Sequence, residues 1–173
     1  PSRRALAEMK RAWEMRFRVV AVGGTFDEFH KGHRALLTKA FEVSERVLIG
    51  LSTDNFVPKL GKPHKTATYD VRLEELKGYL RKQGWIDRAK IVPLHTPYGV
   101  TLTSKLIEGI VVSRETEPRA HEINEKRRAG GLKPLSVIVI DMVPAYNHTP
   151  ISTTRIRRIE IDREGNQIKP KNH

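Results

Sequence analysis

The sequence predicts an α/β fold, a doubly wound parallel sheet of five strands, on three observations. Apolar runs of strand length recur five times, they are nearly continuous rather than alternating, and amphipathic helical patterns lie between them. Strands covered by helices on both faces have this continuous apolar character. Their alternation with helices then gives the doubly wound arrangement. At 173 residues the chain suits one core, since domains run at roughly 100 to 200 residues each.

Residues 1–16 read as an N-terminal extension able to form a helix. Arg3, Arg4, Lys10, Arg11 and Arg16 lie there, without the uninterrupted apolar region and small-residue cleavage site of a secretory signal. The domain proper spans 17–161 and opens with a strand from Phe17 to Val22. Gly23 and Gly24 end that strand, and a helix opening near Gly32 follows, with Leu36, Leu37, Ala40 and Phe41 as its apolar stripe. The second strand runs from Arg46 to Ser52. A helix beginning after Thr68 carries Leu73, Leu76 and Leu80 and stops at Gly84, a residue suited to a left-handed cap. Strands three and four span Ala89 to Leu94 and Gly109 to Ser113. The third helix runs from Glu117 to Ala129, with Thr116 as N-cap, Pro118 in its first turn and Gly130-Gly131 at its end. Its Arg119, Glu122, Lys126, Arg127 and Arg128 read as a solvated face. Leu135 to Val143 makes the fifth strand, and residues 162–173 a polar tail. Trp13 and Trp85 read as packing residues without aromatic neighbours.

A formal net charge of +12 and a pI near 10.2 favour anionic partners, either nucleic acid or phosphorylated small molecules. The same charge-rich surface also suits a thermophilic protein. An aromatic content of 6% is thin for stacking single-stranded bases. With no cysteine, disulfides, thiolate metal sites and thiol nucleophiles are excluded. No apolar run approaches the about 18 residues of a membrane span, and the expected compartment is the cytoplasm.

Ligands of doubly wound folds bind at the carboxyl ends of the strands, near the point where strand order reverses. The loop after the first strand, Gly24 to His33, holds two histidines, an acid and a helix start. Free N–H groups and the positive end of the helix dipole make such a turn an anion site. His30 and His33, three apart, lie on one face of a first turn. A metal pair is the competing reading, for which Asp27 is the only near third ligand; Asp27 otherwise reads as an active-site acid or a turn residue. Ser152, Thr153, Thr154 and Arg155 form a second cradle at a later helix start, with hydroxyl and guanidinium donors for phosphate. Between the two lies a basic loop with Lys59, Lys62 and Lys65.

Gly24-Thr25-Phe26-Asp27, His30-Lys31-Gly32-His33 and Ile151-Ser152-Thr153-Thr154-Arg155 resemble the two signatures of the HxGH nucleotidylyltransferase superfamily. Ser52-Thr53-Asp54 and Val112-Ser113-Arg114-Glu115-Thr116 make the chain most similar to archaeal phosphopantetheine adenylyltransferases. The resemblance covers Phe17 to Ile161 and implies a Rossmann-like nucleotidylyltransferase fold. It implies transfer of the adenylyl group of ATP to 4'-phosphopantetheine, giving dephospho-coenzyme A and pyrophosphate, with magnesium carried on the triphosphate.

By matched position, it implies that His30 and His33 hold ATP phosphates, with His33 stabilising charge at the α-phosphorus. Thr25 would stand between nucleotide and acceptor, with Gly24 allowing close approach. Ser152, Thr153 and Arg155 would bind the β and γ phosphates, with Arg119 contributing, and Lys59 or Lys65 would orient the acceptor phosphate. Bacterial members carry an RGLR-type segment where this chain has Ser113 to Thr116, so contacts there do not transfer. Alternatives on the same scaffold are glycerol-3-phosphate cytidylyltransferase or FAD synthetase activity; from another class, a basic nucleic-acid-binding module.

Overall fold

The computed structural model describes residues 2–57 and 66–141, with residues 10–14 in backbone only. Lys59, Lys65, Ser152, Thr153, Arg155 and the tail 162–173 lie outside the described residues.

Along the chain the elements are α1 (Arg3–Glu14), β1 (Phe17–Gly24), α2 (Lys31–Val43), β2 (Ser44–Ser52), α3 (Tyr69–Gln83), β3 (Ala89–Leu94), β4 (Gly109–Ser113), α4 (Glu117–Ala129) and β5 (Ser136–Ile140). The five strands form one sheet in the order β3-β2-β1-β4-β5, with every pairing parallel. The chain steps outward from β1 to β3, then returns to lay β4 against the other side of β1. Strand order therefore reverses between β1 and β4.

The register there opens a crevice. β1 stays paired with β2 from Phe17 opposite Ser44 to Gly24 opposite Leu51. With β4 it pairs only at Val20–Gly109 and Ala21–Ile110. Beyond Ala21 the two strands part, and Val22, Gly23 and Gly24 continue without a partner on the β4 side.

Alternate residues of β1 enter two cores. Val20 and Val22 pack with Leu37, Phe41, Ile49, Leu76 and Leu80 on one face, while Ala21 packs with Ile110, Val112, Ala120 and Ile123 on the other. Helices α2 and α3 thus cover one side of the sheet and α4 the other, which accounts for the continuous apolar runs. Fully burying each such Leu, Ile or Phe side chain contributes about 1.5–3 kcal/mol.

Element boundaries move modestly from the sequence expectation. β1 reaches Gly24, α2 starts at Lys31, and α2 runs into β2 at Ser44, whose buried hydroxyl donates to the Ala40 carbonyl at 2.7 Å. β5 is shorter than expected, Ser136–Ile140. Gly84 ends α3 with φ 74°, as the cap requires, and its N–H donates to the Arg81 carbonyl.

Two expectations are overturned. Trp85 has aromatic neighbours: it stacks on Phe41 with ring centroids 4.6 Å apart and meets Tyr79 edge-on. The face of α4 is not wholly solvated. Arg127 is buried, with Nε donating to the Lys133 carbonyl and Nη1 to the carbonyls of Thr101 and Ser104. A guanidinium can be buried where backbone carbonyls surround it, and its burial lowers its proton affinity below the usual arginine value.

Candidate active site

A cleft of about 810 Å³ occupies the crevice between the carboxyl ends of β1 and β4. Gly23, Gly24 and Thr25 form its floor, His30 and His33 one wall, and Ser113, Thr116 and Arg119 the opposite wall. Tyr98 and Thr101, from the segment after β3, line it as well. Five of the sequence-nominated residues, Gly24, Thr25, His30, His33 and Arg119, meet in this one space.

The turn from β1 into α2 is tightly built. Phe26 and Glu28 both have left-handed backbones, with φ 50° and 48°. Such conformations in non-glycine residues cost about 1–3 kcal/mol each and persist where the surroundings over-determine them. Here Phe26 and Phe29 are buried, and both rings contact His33, with centroids 5.2 and 5.6 Å away. Asp27 is fully buried, and its Oδ1 accepts the N–H of Ala67 at 3.2 Å. It holds a distant piece of backbone in place, 40 residues away along the chain.

His30 is the N-cap of α2, a position more often taken by Ser, Thr, Asp or Asn. Its Nδ1 accepts the Gly32 N–H at 3.0 Å, and the Nδ1 of His33 accepts the His30 N–H at 3.1 Å. This reciprocal arrangement is a capping box made of imidazoles. Because both Nδ1 lone pairs receive backbone protons, each ring N–H belongs on Nε2. The pair therefore presents two donors of one kind, backed by the α2 dipole, along one wall of the cleft. Gly32 is required by the stacking itself: a Cβ there would lie 2.9 Å from His30 Cε1.

On the far wall, Arg119 is half-exposed. Its Nε lies 3.2 Å from Glu122 Oε2, and its guanidinium carbon lies 5.7 Å from the Tyr98 ring centroid. The Tyr98 hydroxyl donates to Glu122, a bond that raises the phenol's pKa above its ordinary value, with burial and the carboxylate's charge adding to the effect. Lys126 Nζ stands 5.1 Å from the same ring centroid. Thr116 does not cap α4 with its side chain. Its hydroxyl oxygen instead accepts the Ser113 N–H at 3.1 Å, closing the turn after β4.

Sequence reasoning missed Arg72. This α3 side chain is 1% exposed, and it donates to the carbonyls of Thr25, Ser52 and Ala67 and to Asp54 Oδ1. Nothing in helical periodicity distinguishes it from a surface arginine, because its partners lie up to 47 residues away. Ser52 entered the sequence reading as the end of a strand and as part of the Ser52-Thr53-Asp54 block, with no role of its own; its hydroxyl donates to the Gly24 carbonyl at 3.2 Å.

A parallel sheet opening at its switch point onto a histidine-capped helix start is a Rossmann-like α/β architecture. Residues 21–159 match the Cytidylyltransferase-like family, and the chain belongs to it. Within that family it belongs with the phosphopantetheine adenylyltransferases. It is 49% identical over 154 residues to the phosphopantetheine adenylyltransferase of Methanothermobacter thermautotrophicus, covering 89% of this chain and 92% of the relative. It is 46% identical to that of Methanopyrus kandleri, covering 82% and 90%.

Among solved structures, an Archaeoglobus fulgidus protein of unknown function superposes with a TM-score of 0.66 at 28% identity, covering 79% of this chain and all of that one. A bifunctional NMN adenylyltransferase/ADP ribose pyrophosphatase from Francisella tularensis shares the fold, with a TM-score of 0.57 at 16% identity, covering 82% and 41%.

Proposed function

We propose that this cleft transfers the adenylyl group of ATP to 4'-phosphopantetheine, releasing pyrophosphate and forming dephospho-coenzyme A. The observation that carries the reading is the imidazole capping box, set at the switch point of a chain 49% identical to a phosphopantetheine adenylyltransferase. An oxygen of the acceptor phosphate attacks the α-phosphorus in line, the bond from that phosphorus to the bridging oxygen of the β-phosphate breaks, and pyrophosphate departs with its electron pair. Such a reaction needs positioning and charge neutralisation more than covalent help from the protein.

His30 and His33 donate from Nε2 to phosphate oxygens, and His33 stabilises the charge that grows around the α-phosphorus. Thr25 stands between donor and acceptor phosphates, and Gly24 lets them approach the backbone. Arg119 adds a cation from the opposite wall once it turns from Glu122. Ser152, Thr153 and Arg155 take the β and γ phosphates, and Lys59 or Lys65 takes the acceptor phosphate, as the resemblance implies.

Magnesium enters with ATP. Among the described residues no three His, Asp or Glu side chains converge, and the cleft donors are imidazole, hydroxyl, guanidinium and backbone N–H groups suited to the anion. These features support a metal held mainly by triphosphate oxygens. No helix among the described residues is long and apolar enough to cross a membrane.

The test is a panel of nucleoside triphosphates against phosphorylated acceptors, read by pyrophosphate release. ATP with 4'-phosphopantetheine is the expected productive pair. Turnover only with CTP and glycerol 3-phosphate, or only with ATP and FMN, would replace this reading. Salt-dependent nucleic-acid affinity with no pyrophosphate release would replace it with a binding module.

A further inference from the structure

Arg72 lies in the first turn of α3, yet its guanidinium is sunk beneath the cleft. Nη1 donates to the Thr25 carbonyl at 2.9 Å and to the Ser52 carbonyl at 2.7 Å. Nε donates to the Ala67 carbonyl at 2.8 Å, and Nη2 reaches Asp54 Oδ1 at 3.0 Å. Burying a cation is unfavourable unless every donor is matched, and an apolar side chain would fill the same volume at less cost. What an apolar side chain cannot do is fix carbonyls. The planar fork of arginine holds several at set angles, which an ammonium on a flexible stem does not.

The carbonyls concerned belong to the cleft. Thr25 and Ser52 follow and end β1 and β2 respectively, and both line the cavity. With its carbonyl held, the Thr25–Phe26 peptide plane is fixed just ahead of the left-handed Phe26. Ala67 ties Asp27 of the turn to the same anchor: its N–H donates to Asp27 and its carbonyl accepts from Arg72.

We propose that Arg72 is a positioning residue for adenylyl transfer, acting through Thr25. It touches no reacting atom. It sets the orientation of the Thr25 peptide, and so of the Thr25 side chain and of the strained turn that delivers His30 and His33. The proposal rests on the reading of the cleft as an adenylyl-transfer site. Misplacement of this backbone by a fraction of an ångström weakens alignment in the transition state more than it weakens ATP binding, which is shared with the helix start and the other donors.

The test compares Arg72→Lys with Arg88→Lys in the full chain. Arg88 is a matched control: it also donates to three backbone carbonyls, those of Phe41, Ser44 and Glu45, away from the cleft. Arg72→Lys should lower kcat by about tenfold or more with the ATP KM changed by less than about threefold. Arg88→Lys should lower the melting temperature and leave kcat near wild type. Wild-type turnover with an Arg72→Lys kcat within about twofold of it, or equal kcat losses in both variants tracking the folded fraction, overturns the positioning role alone. No pyrophosphate release by the wild type defeats the reading of the cleft, and the positioning role with it.

If Arg72→Lys does not fold, Asp54→Ala releases the outer edge of the fork together with the Tyr69 N–H that the same oxygen accepts at 2.8 Å, at a residue 57% exposed. Its expected result is a loss of about threefold or more in kcat at unchanged ATP KM, and an unchanged kcat overturns the proposal.

Discussion

The rings of His30 and His33 stack with centroids 3.6 Å apart and planes inclined by 21°. Each Nδ1 accepts a backbone N–H from the helix start that the two residues create. One pair of side chains thus caps α2 and sets its own tautomers beside the cleft.

That double role separates two effects of His33→Ala. Loss of the donor to a developing charge should lower kcat by a factor on the order of 10² or more. Loss of the cap should cost about 0.5–2 kcal/mol of stability, visible in the melting temperature of a protein that still folds. Turnover near wild type in the folded variant would remove His33 from the chemistry.

Gly32→Ala tests the stacking. Alanine is about 0.8–1 kcal/mol better than glycine within a helix, so propensity alone predicts a more stable variant. The new Cβ would stand 2.9 Å from His30 Cε1, forcing the ring away from its cap. Turnover should fall by about tenfold or more, because a displacement of this kind disrupts near-attack geometry. Steady-state kinetics beside thermal melting would show it, and full activity with raised stability would contradict the close packing.

Glu122→Gln should change how Tyr98 titrates. The neutral phenol donates to the carboxylate, so losing its proton also loses that bond, and the pKa sits above its ordinary value. Removing the carboxylate charge should move the Tyr98 midpoint down toward about 10. Difference absorbance of tyrosinate, referenced to a Tyr98→Phe variant, isolates that transition. Tyr69, raised chiefly by burial, should titrate unchanged. An unmoved Tyr98 midpoint would show that Glu122 does not hold the phenol in solution.

The pattern of residues carried much of the architecture. Continuous apolar runs placed all five strands, since a strand covered on both faces must be apolar throughout. Helical spacing and the glycine at position 84 placed α3 and its end. Gly24, Thr25, His30 and His33 were also legible, because a strand ending in two glycines before a helix start is a local feature. Arg127 was misread as solvated for an equally definite reason. Burial of a guanidinium depends on carbonyls from the segment 101–104 and from Lys133, which α4 meets only in the folded chain.

What the sequence determined by itself, then, is whatever repeats at the period of a helix or strand or is concentrated in one turn. That covers the element order, the parallel sheet and the histidine-bearing loop. The tertiary structure decided which strands part to open the cleft and which arginines are buried. Those outcomes depend on directional bonds between groups distant in sequence, and hydrogen bonds of that kind leave no periodic trace along the chain.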